Sequence, residues 1–313
     1  MEGHPMHAGQ VSPVGFTIYR IFLMKKHLLL PQRLVLLFFC LLTGLASAQE
    51  EKGLLYKVSR EDLPAPSYLF GTIHLICADD APITDALRAA IASSEALVLE
   101  VDISDPMLGQ EMMKSAINPG MKNIADELSE EDKELIDSFL TENYGMGLAQ
   151  MGMLKPFVLM SMVIPKYLDC TVTAMDKEVM GLAIADTLPI IGLEEAAFQM
   201  SLFDSLDHEE VMGLMVDAFR NIEEDKEEFA AMLENYLAGD LAALYQYVVE
   251  EESMQLLKES LLDKRNQNWI PLLEATMQEQ PVTVAVGAGH LAGEQGLITL
   301  LRGQGYTVEV VQD

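Results

Sequence analysis

A continuous apolar segment, Ala96 to Val101, determines which class of fold this chain can adopt. Its sequence is Ala-Leu-Val-Leu-Glu-Val, and a strand without regular polar alternation is typical of a sheet that helices cover on both faces. A second strand is expected near the end of the chain, at Val282 to Val286. We therefore predict an α/β fold in which a central mixed sheet is flanked by helices.

Two short β-rich segments precede the apolar strand. They are Gly53 to Val58 and Tyr68 to Ile73, and the turn-like stretch between them predicts a hairpin. Residues Ile83 to Ile91 then show helical spacing. Strand, helix and strand in this order predict a right-handed crossover unit, which would place Ala96–Val101 beside the second strand of the hairpin.

The middle of the chain has a helical pattern. From about Pro106 to Asp186 it predicts a large inserted helical layer, and from Asp207 to Gln278 the pattern is helical again, with breaks expected at Gly239 and Pro271. Three further elements are expected: a strand at Leu188–Leu193, a helix at about Leu291–Arg302 and a final strand at Tyr306–Val311.

The first 48 residues resemble an export signal. A basic start at Met24 to His27, an apolar run from Leu34 to Leu45 and the small residues Ala46-Ser47-Ala48 follow one another. The run is shorter than the roughly 20 residues that a membrane-spanning helix needs. We expect 1–48 to be a signal peptide, with a true start near residue 24. Residues 49–313 would then be a single domain, periplasmic or secreted, without a stable membrane anchor.

The chain is strongly acidic, with 49 acidic against 20 basic residues and a formal net charge of −29. Such a surface repels nucleic acid and anionic membranes. We therefore expect no nucleic-acid partner, and we interpret the charge as a solvated surface.

Two cysteines, Cys77 and Cys170, follow the expected signal peptide. An exported protein meets an oxidising compartment, so a disulfide between them is allowed. Two buried thiols are an equal alternative, because a sequence does not reveal whether two Cα atoms approach within bonding distance.

One short pattern occurs twice, each time after an expected strand: Gly71-Thr72-Ile73-His74 and Gly287-Ala288-Gly289-His290. Loops at the carboxyl edge of an α/β sheet converge in a crevice where sites form. A glycine three residues before each histidine allows a sharp turn or a close approach. The remaining histidine after the signal peptide, His208, lies in an acidic helix start and is expected at the surface. We predict that His74 and His290 share one site.

Two imidazoles need a carboxylate and a water to complete a hydrolytic metal site. Glu100 is the first candidate, because it lies near the end of the apolar strand, where a buried carboxylate is costly unless it is paired or coordinated. Asp102 is a weaker alternative. Glu194 ends the strand expected at Leu188–Leu193 in the same manner, although it also fits an acidic helix start.

Five segments together are similar to the TraB/GumN family, which includes the animal Tiki proteins: Tyr68–His74, Leu97–Asp102, Ile191–Glu194, Arg265-Asn266 and Val286–Leu291. The resemblance covers about residues 53–311. It implies an α/β enzyme with a divalent metal held by His74, Glu100 and His290. Because Tiki proteins are metalloproteases that use manganese or cobalt, these ions are expected first, with zinc as a further option. Arg265 matches a family position and would clamp a carboxylate or stabilise an oxyanion; a place on a helix surface is the alternative.

These observations favour a metal-dependent peptidase that acts on a peptide or protein substrate. Glu100 or Glu194 would be its general base. A protein that binds a peptide, a metal or haem without chemistry is one alternative. A metal-free esterase, in which histidine and glutamate act as base and acid, is the other.

Overall fold

The computed structural model describes residues 52–204, 206–250 and 258–312. The expected signal peptide at 1–48, with its possible start near residue 24, lies outside these residues. Its cleavage and the single domain at 49–313 therefore stay predictions. Within the described ranges, no helix is long and apolar enough to cross a membrane.

The strands of the described residues form one large and one small sheet. In chain order they are β1 (Leu55–Ser59), β2 (Ser67–Thr72), β3 (Ile76–Cys77), β4 (Ala96–Val101), β5 (Val172–Thr173), β6 (Ile190–Glu194), β7 (Val282–Gly287) and β8 (Thr307–Val310). The large sheet has the order β6-β4-β7-β2-β1-β8, and the small one pairs β3 with β5.

The α-helices of the described residues cover and extend the large sheet. They are α1 (Asp85–Ala92), α2 (Leu108–Ala116), α3 (Glu130–Tyr144), α4 (Leu148–Met151), α5 (Pro156–Ser161), α6 (Met175–Ala185), α7 (Ala196–Asp204), α8 (His208–Arg220), α9 (Ile222–Leu237), α10 (Leu241–Glu250), α11 (Lys264–Glu279) and α12 (Leu297–Gly303).

The large sheet is mixed, which confirms the predicted α/β class. Strands β6, β4, β7 and β2 run parallel to one another. Strand β1 is antiparallel to both β2 and β8, so the expected hairpin is confirmed. The apolar strands β4 and β7 are buried along most of their length. Each has a strand on both sides in the sheet, and such continuous apolar strands are typical of a sheet that helices cover on both faces.

The predicted position of β4 is wrong in one respect. We expected Ala96–Val101 beside the second hairpin strand, but β7 lies between them and pairs with both. Strands that follow one another in sequence are neighbours in only about two-thirds of cases. Here the almost fully buried Val282–Gly287 takes the central position, which gives it two covered neighbours.

The inserted helical layer is present and has its own apolar core. This second core is separate from the one beneath the sheet and draws buried side chains from α3, α4, α5 and α8, including Ile136, Leu140, Leu159 and Phe219. The Cys77–Cys170 pair forms a disulfide with a Cα–Cα distance of 5.7 Å. It joins β3 to the residues just before β5. Of the two alternatives for the cysteines, the disulfide is therefore the one that the structure has.

Two expected helix boundaries are wrong. Pro271 does not break α11 but lies inside it. The helix persists because α11 buries Trp269, Ile270, Leu273 and Met277, and this burial offsets the hydrogen bond that proline removes.

The last helix begins at Leu297 rather than Leu291. His290 lies instead in a short 3-10 turn, Ala288–His290. The chain between the turn and the helix contains Gly293 with φ +86°, a backbone conformation that interrupts a helix and that glycine adopts easily.

Candidate functional site

The parallel strands bring the predicted residues to one edge of the sheet. Thr72 pairs with Gly287, so the two G-x-x-H loops leave neighbouring strands side by side. Val101 pairs with Glu194, which places the glutamates at the ends of β4 and β6 close to each other. The carboxyl edge of the sheet is therefore where the candidate site is assembled.

Arg265 connects the two glutamates. It lies in α11, directly after the π-helical turn Glu259–Asp263. Its Nη2 donates to Glu100 Oε2 at 2.5 Å, and its Nε donates to Glu194 Oε2 at 2.9 Å. The side chains of Arg265, Glu100 and Glu194 are only 7%, 11% and 7% exposed. Arg265 therefore belongs to a buried ion-pair cluster and not to the helix surface.

His290 is buried and held in one tautomer by Asn266. The amide nitrogen of Asn266 donates to the carbonyls of His290 and Gln295, which leaves the amide oxygen as an acceptor. His290 Nδ1 lies 2.7 Å from this oxygen and therefore carries the proton. His290 Nε2 keeps its lone pair and accepts from Arg265 Nη1 at 3.1 Å.

Burial lowers the pKa of the His290 imidazole to about 4, and the nearby Arg265 acts in the same direction. The imidazole is therefore neutral at pH 7. Burial is the cause rather than a helix terminus, because His290 lies in the short 3-10 turn Ala288–His290. The side chain of Trp269 packs against the ring, with 4.5 Å between the ring centroids.

Glu100 contacts most of the other candidate groups. Its Oε1 accepts from the Gly287 amide at 2.8 Å and lies 3.7 Å from His290 Nε2. Its Oε2 accepts from Gln199 at 3.2 Å as well as from Arg265. Burial alone would raise the pKa of this carboxyl, but His290, Arg265, His74 and the Gly287 amide together lower it well below its ordinary value. Glu100 is ionised at neutral pH.

His74 lies two residues beyond β2 and is 80% exposed. Its Nδ1 is 3.2 Å from Asp176 Oδ2, and Thr72 Oγ1 donates to the other oxygen of the same carboxylate at 2.8 Å. The hydrogen bond to Asp176 raises the pKa of the His74 imidazole above its ordinary value. Because Nδ1 faces Asp176, the Nε2 atom of His74 is left for other partners, and the raised pKa means that Nε2 carries a proton at neutral pH which a metal ion would have to displace.

The two motif glycines are needed for close approach. A Cβ atom at Gly71 would lie 3.2 Å from the Ala288 Cα atom, in the other motif. At Gly287 it would lie 3.3 Å from Glu100 Oε1. Tyr236 also donates its hydroxyl to the Gly71 carbonyl at 3.0 Å. Neither glycine has a positive φ, so contact distance rather than turn geometry explains the residue type.

An open cleft of about 230 Å³ lies beside these groups. Its lining residues are His74, Leu99, Glu100, Val101, Ile103, Ala174, Asp176, Lys177 and Gln199. Among the described residues, Glu194, Arg265 and His290 do not line it. The cleft is thus in direct contact with Glu100 and His74, while the rest of the cluster lies behind Glu100.

Two other candidates lie apart from the cluster. Asp102 accepts the backbone and side-chain hydrogens of Ser104 in a turn, at 2.9 and 2.5 Å. His208 is 56% exposed and pairs with Glu127 at 2.7 Å, as expected for a surface histidine. Asp102 therefore stabilises the local turn, and His208 forms an ion pair within the helical layer.

Sequence reasoning missed the supporting roles of three side chains at the site: Asp176, Gln199 and Asn266. Asp176 is an ordinary acid in the first turn of α6, and Gln199 is one of several polar residues on α7, so neither has a distinguishing sequence signal. Asn266 follows Arg265 directly, and this adjacency was the one available indication.

The donor groups suit a divalent cation in their chemistry. Each histidine has its Nδ1 hydrogen-bonded to an oxygen acceptor, Asp176 for His74 and Asn266 for His290. This outer-shell arrangement is typical of histidines that bind metal through Nε2. Across residues 52–204, 206–250 and 258–312, however, no three His, Cys, Asp or Glu side chains are arranged to enclose an ion. Arg265 contacts both Glu100 Oε2 and His290 Nε2, which are two of the expected ligand atoms.

Fold and site together define an α/β protein with two G-x-x-H loops at the carboxyl edge of a mixed sheet. The TraB/PrgY/gumN family model matches residues 54–310, nearly the whole chain, and the protein belongs to this family. No curated protein and no solved structure matches the chain.

Proposed function

We propose that this TraB/PrgY/gumN protein is an exported metal-dependent hydrolase that cleaves peptides. The observation that carries the proposal is the pair of oriented histidines. Each has Nδ1 engaged by an oxygen acceptor, His290 Nε2 lies 3.7 Å from Glu100 Oε1, and His74 and Glu100 line the same cleft. Two imidazole Nε2 atoms and one carboxylate are the donor set of many hydrolytic metal sites.

The chain's own residues have separate roles in this proposal. His74, Glu100 and His290 would hold a manganese or cobalt ion, with zinc as a further option. Such an ion supplies an activated water and polarises a carbonyl. For His290 to bind it, Nε2 must exchange its contact with Arg265 for the ion. Arg265, released from His290, keeps its bonds to both glutamates and stays available to stabilise an oxyanion.

Of the two candidates for general base, Glu100 is favoured by position, and it would act through the carboxylate oxygen that does not hold the ion. Glu100 lines the cleft, whereas the Glu194 side chain is 7% exposed and is not among the residues that line it. Glu194 accepts from Arg265 and from Gln199, at 2.9 and 3.4 Å. We therefore assign Glu194 the role of positioning Arg265.

Export is part of the proposal and rests on the basic, apolar and small-residue pattern of 1–48. A disulfide at Cys77–Cys170 supports it, because such bonds persist in oxidising compartments. The test is the N-terminal sequence of protein recovered from the periplasm or medium, which should begin near Gln49. Intact leader on cytosolic protein would contradict export.

The decisive experiment measures turnover of a peptide library with manganese, with cobalt and with a chelator. Peptide cleavage that the chelator abolishes is the expected result. Calorimetry with the metal alone provides a second readout that does not depend on the substrate. His74→Ala should lose both metal binding and turnover, by about 100-fold or more, because it removes one ligand of a single unit.

Two controls accompany that experiment. His208→Ala changes a histidine that lies apart from the cluster and should leave both readouts unchanged. His290→Ala should match His74→Ala if the protein remains folded, which circular dichroism checks. Turnover that persists with chelator would favour the metal-free esterase, and peptide binding without turnover would favour a binding protein. Activity that survives in both histidine variants would refute a shared site.

A further inference from the structure

The cleft contains one cation that the protein itself does not use. Lys177, in the first turn of α6, is the only lysine or arginine among the described residues that line the cleft. In the described part of the chain its ammonium has no acidic partner. Other lysines of the chain do have acidic partners: Lys52 pairs with Asp240, and Lys155 pairs with Asp204.

The acids nearest to the cleft already have partners. Glu100 is paired with Arg265 at 2.5 Å, and Asp176 faces His74 and Thr72 at 3.2 and 2.8 Å. In a chain with 49 acidic and 20 basic residues, an unpaired ammonium at the proposed site is therefore available to a ligand anion.

The rest of the lining indicates what is attached to that anion. Leu99, Val101, Ile103 and Ala174 are apolar and form much of the cleft wall. Such a wall accepts an apolar side chain, since burial of its surface is favourable. The cleft volume of about 230 Å³ is below the roughly 300–1,000 Å³ of most small-ligand pockets, so it suits the end of a chain better than a long segment.

We propose that the cleft binds the C-terminal residue of a peptide, with Lys177 contacting the terminal carboxylate and the apolar wall contacting the side chain. This inference rests on the proposed function and names its substrate class. Hydrolysis would add one water across a peptide bond near the C terminus. The new carboxyl stays on the longer fragment, and the new amine leaves on the amino acid or short peptide that is released.

The test compares N-acetylated tetrapeptides that end in leucine, either as the free acid or as the amide. Calorimetry in the presence of chelator measures their binding without turnover. Wild-type protein should bind the acid about tenfold more tightly than the amide, since a charge-assisted hydrogen bond is lost in the amide. Lys177→Met should abolish this difference, and Lys177→Arg should retain it.

Lys133→Met is the matched control, because Lys133 lies on α3 and does not line the cleft. It should keep the wild-type preference. Equal binding of acid and amide by the wild type, a preference that survives in Lys177→Met, or no binding of either peptide would each overturn the inference.

The same peptides separate this inference from the proposed function. Manganese-dependent cleavage of acid and amide at equal rates would leave the hydrolase in place and overturn the role of Lys177. Tighter binding of the acid that depends on Lys177, without turnover under any metal, would support the role of Lys177 and overturn the hydrolase.

Discussion

Replacing Cys77 and Cys170 with serine would remove the cross-link between β3 and the residues before β5. The two cysteines are 93 residues apart in sequence, so the bond closes a long loop that includes helices α1 to α5. A cross-link of this length restricts the unfolded chain by about 4–5 kcal/mol in the chain-entropy account. We expect the double variant to lose about this much free energy of unfolding.

The serines themselves should add little to the loss. Cys170 is exposed and Cys77 is partly buried, so neither hydroxyl is forced into an apolar environment without water. A loss of 4–5 kcal/mol is large against the 5–15 kcal/mol of a typical domain. It should appear as a fall in melting temperature of roughly 10 °C for a domain of this size.

Urea unfolding followed by fluorescence measures the change directly. Trp269 is the single tryptophan and is fully buried, so its emission reports the folded core. The midpoint should fall in the double variant, and alkylation of the wild type without reductant should find no free thiol among these two cysteines. A loss below about 1 kcal/mol, or free thiols in the purified protein, would refute the reasoning.

Two further predictions concern glycines and the outer shell of the site. Gly181→Ala should raise the free energy of unfolding by about 0.5–1 kcal/mol, since nothing lies within 4 Å of a Cβ atom placed at this position in α6. Gly71→Ala should lower it by about 1–3 kcal/mol, because the new Cβ atom crowds Ala288. Thermal melts that rank the two variants the other way would contradict this. Asn266→Ala removes the acceptor that holds His290 Nδ1 and should weaken manganese binding about 10–100-fold in calorimetry, so unchanged affinity would show that Asn266 does not orient the histidine.

Much of the sheet could be predicted because its strands have strong local signals. The hairpin of β1 and β2 follows from two β-rich segments with a turn between them, and β4 follows from a run of buried apolar residues. The paired G-x-x-H loops could be placed at one edge because parallel strands end on the same side. These inferences depend on residues close in sequence.

The order of strands could not be predicted from such signals. Strand β4 ends at Val101 and strand β7 begins at Val282, 181 residues later. Nothing local in either segment specifies that the two strands pair. Both strands are apolar along most of their length, as strands covered on both faces are, and this shared property does not specify a neighbour. The insertion of β7 also explains why Gly287 donates to Glu100, a contact that adjacency of β2 and β4 would not give.

The supporting residues of the site were beyond prediction for a similar reason. Asp176 and Gln199 are ordinary polar residues on helices α6 and α7, and their role depends on where those helices pack against the sheet. Arg265 could be named from a resemblance, but its burial between two carboxylates depends on α11 crossing the same edge.

This burial changes how variants of the site are interpreted. From the sequence alone we expect little loss of stability when a residue at the functional edge is replaced, and that fits His74, which is 80% exposed. It does not fit Glu100, because its removal leaves the buried Arg265 with one carboxylate fewer and the Gly287 amide without its acceptor. Breaking such a buried pair commonly costs about 3–5 kcal/mol. Lost activity in a Glu100 variant can therefore reflect unfolding, whereas lost activity in His74→Ala reports on the chemistry of the site.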